Sequence, residues 1–280
     1  FLGCTGHGVL STLKEIVLGT GYHGMDNMFI AEEYPGVGCV KCKYSKCSDL
    51  LDIMDRIRYE QGEVVCAVII EPVQLDISPA NLSHLSVLRH LCTKHNIVLI
   101  FDEIITGFRT PKYCISNYLD IQPDLICLGK AMANGSPLSV VGGKAEIMDT
   151  PDYFISSTFA GDVHAISESL KVLDFLTEYK LDVLWDRGEE FLGRFNSLSP
   201  KIQLVGYPTR AELRGEYLHL FMQESCKAGY LFGKAWFLSF AHTPAILEKT
   251  LKDCEKIINR IDAGGVVLEG PEPVPVFKRN

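Results

Sequence analysis

A chain of 280 residues, 47% apolar and 22% charged, has room for one large domain or for a large and a small one. Its formal charge of −8 offers no electrostatic footprint for nucleic acid or an anionic membrane surface, so neither is expected as a partner. No apolar run approaches the roughly 20 residues that span a bilayer, and the first residues lack the basic flank and apolar core of a secretory signal.

In chain order, Gly3-Cys4-Thr5-Gly6-His7-Gly8 feeds a segment of helical spacing, Val9 to Ile16. Free backbone amides at such a junction favour an anion. Cys39, Cys42 and Cys47 invite a metal reading, but only Cys39 and Cys42 have knuckle spacing and a fourth ligand would be arbitrary. No metal is expected. The ten cysteines, several of them in core elements (Cys66, Cys92, Cys127, Cys254), fit the reduced thiols of a cytoplasmic enzyme. An amphipathic helix is expected over Ser48–Tyr59, a buried strand over Val64–Ile70, and a helix over Asn81–His95.

Ile97-Val98-Leu99-Ile100-Phe101 is an unbroken apolar run that reads as a strand buried on both faces, and it ends on Asp102-Glu103. Pro123 to Leu128 makes a second such run, ending on Gly129-Lys130. The β-α-β order over Val64–Leu128 implies a parallel, helix-covered sheet, continued by Pro137–Met148. Ligands of such sheets sit outside the carboxyl ends of the strands. An acid and a lysine at neighbouring strand ends suit a cofactor with a basic ring nitrogen at one side and an aldehyde at the other. Pyridoxal 5'-phosphate is such a cofactor.

A helix is expected over His164–Tyr179, following the turn Ser156 to Asp162. From Leu181 the chain changes to mixed short elements. These are Arg187–Leu198, strands around Leu204 and over Tyr217–Phe221, and a final helix Pro244–Ile261. The expected division is 1–175 for a large domain and 176–280 for a smaller α+β domain with an extended Pro-rich tail.

Phe101-Asp102-Glu103-Ile104-Ile105-Thr106-Gly107-Phe108-Arg109, then Pro123-Asp124-Leu125 and Gly129-Lys130-Ala131-Met132-Ala133-Asn134-Gly135, resemble the class III aminotransferases. Among these, the sequence is most similar to glutamate-1-semialdehyde aminomutase-like members. The resemblance runs from about Gly21 onward and is strongest over Val68–Thr158. It implies an α/β fold, the PLP-transferase fold type I, with a mostly parallel central sheet covered by helices. It also implies a longer N-terminal region than precedes these motifs here.

By the same resemblance, Lys130 carries the Schiff base to the cofactor aldehyde and then moves the proton. Asp102 holds the pyridine nitrogen protonated, and Ile104 packs on the ring face opposite Tyr22. His23 belongs to the same Tyr-His-Gly turn. Thr5 is the candidate for the cofactor phosphate. Thr158 would donate to the phosphate of a neighbouring subunit, which makes the expected assembly a homodimer with shared sites. Arg109 reads either as a clamp for a substrate carboxylate or as a scaffold salt bridge to Glu103 or Asp124. The expected activity is amino-group transfer or 2,1-aminomutation on a small amino or keto compound. A non-catalytic binding protein of the same fold, or a racemase or decarboxylase, stands as the alternative.

Overall fold

Short apolar runs pair side by side in the computed structural model, which describes residues 2–4, 67–73, 75, 77, 79–94, 96–149, 159–178 and 180–272. Strands β1 (Leu2–Cys4), β2 (Ala67–Ile70), β3 (Val98–Asp102) and β4 (Leu125–Leu128) lie parallel in that order. β5 (Val140–Gly143) pairs antiparallel with β4. β2 is buried along its whole length, as a strand covered on both faces must be. In β3, Leu99 and Phe101 have no exposed surface.

Helix α1 (Pro79–Lys94) joins β2 to β3, and the short helix α2 (Ile115–Leu119) lies between β3 and β4. α1 begins two residues before the expected Asn81, because proline is pre-set for a helix's first turn. It ends where Asn96 turns left-handed (φ 53°) and the Ile97 N–H returns to the Cys92 carbonyl at 2.8 Å. Beyond β4 come a 3-10 turn over Lys130–Ala133, β5, helix α3 (Ala145–Met148) and helix α4 (Val163–Glu178).

One carboxylate ties these layers together. Asp124, just before β4, accepts from Arg89 of α1 at 2.8 Å, from the Leu99 N–H of β3 at 2.7 Å and from Lys144 after β5 at 2.8 Å. Burial pushes its carboxyl up, but these three donors outweigh burial and hold it below the ordinary aspartate range. Its stabilising contribution is therefore complete above the unfolded pKa of about 3.9 and is lost as pH falls through the lower folded value. Asp124→Asn should flatten the stability profile of the first unit below about pH 4, as read by acid titration of far-UV circular dichroism. A profile as steep as the parent's would remove Asp124 from this role.

The chain forms two compact units, Phe1–Tyr179 and Lys180–Asn280. In the second, β6 (Gln203–Tyr207), β7 (Arg210–Arg214) and β8 (Ala235–Phe237) make an antiparallel sheet. Helices α5 (Leu181–Asn196), α6 (Leu218–Lys227) and α7 (Pro244–Asp262) complete the unit. Its core stacks Phe191 on Trp236 at 5.2 Å between ring centres and sets Phe195 edge-on to Phe221 at 5.7 Å. Such aromatic pairs contribute about 0.5–1.5 kcal/mol beyond their buried area. α7 starts as expected, with Thr243 accepting from the Ile246 N–H and Pro244 in the first turn.

Two sequence expectations change here. Tyr217–Phe221 is not a strand but the entry to α6. Its buried residues recur at Tyr217, Phe221, Glu224 and Ser225, a helical period that five residues alone do not reveal. The element expected over Arg187–Leu198 begins earlier, at Leu181. None of the described helices is long and apolar enough to cross a membrane.

Candidate active site

The carboxyl ends of β3 and β4 bring the chemistry to one edge of the first sheet. Because the two strands are parallel, with Asp102 the register partner of Cys127, the chain leaves both in the same direction. Asp102 is the last residue of β3 and is 4% exposed. Its Oδ1 accepts from the Ile104 N–H at 3.1 Å, an Asx-type turn that ends the strand and aims the carboxylate. Oδ2 makes no bond among the described residues. Burial raises the Asp102 carboxyl, opposed by the Ile104 N–H and by the positive charge of Lys130.

Lys130 lies three residues beyond Cys127 and opens the 3-10 turn. Its backbone is left-handed (φ 45°), a conformation that costs a non-glycine residue on the order of 1–3 kcal/mol and gathers at functional sites. Its side chain is exposed at the open edge. Ile104 reaches the same place. A Cβ built on Gly129 would lie 3.7 Å from Ile104 Cγ2, so that side chain flanks the Gly129–Lys130 turn. Asp102, Ile104 and Lys130 are thus assembled from two strand ends and the turns that follow them.

Glu103 points elsewhere, as alternation along a strand requires. It has no exposed surface, and it accepts from the Ile115 N–H at 2.6 Å, the Ser116 N–H at 2.9 Å and the Thr106 hydroxyl at 3.2 Å. Burial raises its carboxyl, and these donors oppose the rise. The two carboxylates offered as scaffold partners for Arg109 are thus engaged by other donors: Glu103 by this set and Asp124 by Arg89, Lys144 and Leu99. Arg109 itself is half-buried, and its N–H donates to the Thr106 carbonyl at 3.2 Å.

Thr5, Tyr22, His23 and Thr158 lie outside the described residues, as do Cys39, Cys42 and Cys47. Among the described residues, no three metal-ligating side chains come together.

Residues 4–205 match the family Aminotransferase class-III. The chain belongs to the class-III aminotransferases. It is 30% identical over 244 residues to glutamate-1-semialdehyde 2,1-aminomutase 2 of Bacillus licheniformis, a match covering 75% of this chain and 56% of that protein. To the enzyme of the same name from Oceanobacillus iheyensis it is 26% identical over 231 residues, covering 72% of this chain and 54% of that protein. The chain spans about half the length of the curated relatives it matches.

Among solved structures, the PLP internal aldimine form of the Sphingopyxis sp. MTA144 FumI protein superposes with a TM-score of 0.69 at 20% identity. That match covers 80% of this chain and 58% of the other. The fold is therefore α/β of the PLP-transferase type I, with a mixed, mostly parallel sheet.

In this class-III aminotransferase two further residues shape the edge; both stand within the motif, where the sequence gives neither a role. Gly107 sits where a Cβ would come within 2.7 Å of the Glu103 carbonyl and 3.0 Å of Leu128 Cδ2, so the loop after β3 presses against the end of β4. Thr106, fully buried, spends its hydroxyl on Glu103. A Thr-Gly pair soon after a strand is an ordinary turn signal. What makes Gly107 matter is its contact with Leu128 of β4, distant in sequence, which no local pattern encodes.

Proposed function

We propose that this chain is a pyridoxal 5'-phosphate-dependent enzyme of amino-group transfer, an aminotransferase or a 2,1-aminomutase acting through Lys130. One observation carries the reading: parallel β3 and β4 set a buried carboxylate and an exposed lysine at one sheet edge, close enough for the lysine's charge to act on the carboxylate. The donor set fits the cofactor. Asp102 offers a buried acceptor with one oxygen uncommitted among the described residues, Ile104 an apolar wall, and Lys130 an amine at the open side.

When bound, the cofactor supplies an electron sink that eases bond breaking at the substrate's α-carbon. Asp102 holds the proton on the ring nitrogen, because a neighbouring carboxylate raises the pKa of a cation and burial strengthens the pair. Lys130 would hold the cofactor's aldehyde end through its neutral amine and, when free of it, would take and return the proton at the substrate's α-carbon. Ile104 excludes water from one face of the ring.

The resemblance supports further assignments to residues outside the described ones. Tyr22 would cover the other ring face with His23 beside it, and Thr5 would meet the phosphate. Thr158 would reach the phosphate of a second copy in a homodimer. On this reading the first unit is the cofactor-binding domain and the second the small domain of a cytoplasmic enzyme. Its substrates are small amino compounds and keto or aldehyde acceptors, a class that includes the semialdehyde named in the aminomutase relatives.

The test is a cofactor titration followed by addition of amino donors and keto or semialdehyde acceptors. A visible absorption band should form and then change with donor. Asp102→Asn should still take up the cofactor yet slow amino exchange by about 10²–10⁴-fold, the usual scale for losing one proton-controlling group. A protein that takes up no cofactor, or an Asp102→Asn variant as fast as the parent, would refute the assignment.

A further inference from the structure

Glu103 is a fully enclosed carboxylate to which the chemistry above gives no part. The hydroxyls of Thr106 and Ser116 and two backbone N–H groups converge on it, and those two are the first of α2, twelve and thirteen residues along the chain. Helix-start amides carry partial positive charge and lack partners within their own helix, so a carboxylate there satisfies both needs. Its own N–H meanwhile donates to the Cys127 carbonyl at 2.9 Å, extending the β3–β4 ladder by one step. One residue therefore holds the strand edge by its backbone and the far end of the 104–114 loop by its side chain.

That loop carries Ile104 and Arg109, and its backbone is held in unusual shapes. Phe108 (φ 61°) and Tyr113 (φ 69°) are both left-handed, which bulky residues adopt only where their surroundings impose it. Internal bonds run from Gly107 N–H to the Glu103 carbonyl at 2.7 Å and from Tyr113 N–H to the Thr110 carbonyl at 2.9 Å. The Tyr113 hydroxyl donates to the Leu176 carbonyl of α4 at 3.3 Å. The loop is closed at its base by Glu103.

We propose that Glu103 is a positioning residue for the cofactor pocket: its carboxylate latches the start of α2 to the end of β3 and so holds the Asp102–Ile104 turn in place against Lys130. This rests on the function proposed above. The latch requires a carboxylate rather than an amide. Each carboxylate oxygen accepts from a backbone N–H, Ile115 on one and Ser116 on the other, so in either orientation the NH2 of a glutamine would face an N–H and leave a buried donor unpaired.

Two variants test it. Glu103→Gln breaks the latch electronically, and Thr106→Val removes one donor without altering shape or touching a backbone amide. The readouts are the dissociation constant for pyridoxal 5'-phosphate and the pH midpoint of the visible band, with far-UV circular dichroism reporting the fold. Glu103→Gln should weaken cofactor binding by about ten- to hundredfold, the equivalent of one buried donor left unpaired, and should move the midpoint. Thr106→Val should shift both in the same direction by less. Folded variants with the parent's dissociation constant and midpoint would overturn the latch. If Glu103→Gln fails to fold, Thr106→Val decides by the same criterion. A parent protein that takes up no cofactor would overturn the function as well, a failure read on a separate sample.

Discussion

Lys130→Ala should bind no cofactor covalently and should exchange amino groups at least about 10³-fold more slowly than the parent, since it loses both the nucleophile and a proton carrier whose share alone is about 10²–10⁴-fold. The structure separates this loss from unfolding. Lys130 is exposed at the sheet edge, so truncation leaves no cavity. Its left-handed backbone (φ 45°) is as unfavourable for alanine as for lysine, so the substitution neither relieves nor adds strain. Surface changes of this kind fall within about 0.5 kcal/mol. The expected result is a melting temperature unchanged when both proteins are compared without cofactor, with the visible band and the exchange activity gone. A variant that keeps the band would move the covalent role to another amine.

The second large effect is on stability. Gly188 lies inside α5, where glycine costs a helix about 0.5–1 kcal/mol relative to alanine. Propensity alone therefore says that Gly188→Ala stabilises. Packing says otherwise: a Cβ there would lie 2.2 Å from the Pro208 carbonyl oxygen and 2.6 Å from its carbon. The obstacle is backbone in the turn between β6 and β7, with Gly206 at φ 154° beside it, so no flexible side chain can swing aside. Overpacking of this kind costs about 1–3 kcal/mol, more than the helix gains. Gly193, on the same helix, serves as the contrast, because a methyl group added there would meet nothing within 4 Å. Gly193→Ala should stabilise by about 0.5–1 kcal/mol. Urea unfolding followed by fluorescence reports this unit, because both tryptophans, Trp185 and Trp236, belong to it. Two shifts of the same sign would contradict the packing argument.

The contrast between these two glycines also shows what a sequence holds and what it withholds. α5 buries Leu181, Leu184, Phe191, Leu192 and Phe195, a helical period that is readable in the chain, but a glycine in its middle argues against a helix until Pro208 is seen beside it. β2, β3 and β4 are legible as short apolar runs. Only β2 is buried along its whole length, whereas burial alternates along β3 from Val98 to Phe101 and β4 is half-buried throughout, so the expected burial on both faces holds for β2 alone. Asp102 and Lys130 are legible for the same reason, since each follows such a run. Tyr217–Phe221 misleads because a five-residue window of aromatic and aliphatic residues suits a strand as well as a helix. From the sequence, Glu103 reads as a member of the motif and a scaffold partner for Arg109. Its partners Ile115 and Ser116 are fixed by tertiary return of the chain, which spacing cannot show. Thr5, Tyr22, His23 and Thr158 rest on resemblance, outside the described residues.

Everything proposed for the active site requires one amine and one carboxylate to serve a single aromatic ring. Borohydride reduction of the protein after incubation with pyridoxal 5'-phosphate, followed by digestion and peptide mass measurement, addresses it most directly. The cofactor's mass should appear on the peptide containing Lys130. Its appearance on another lysine instead, or on no peptide at all, would contradict the assignment.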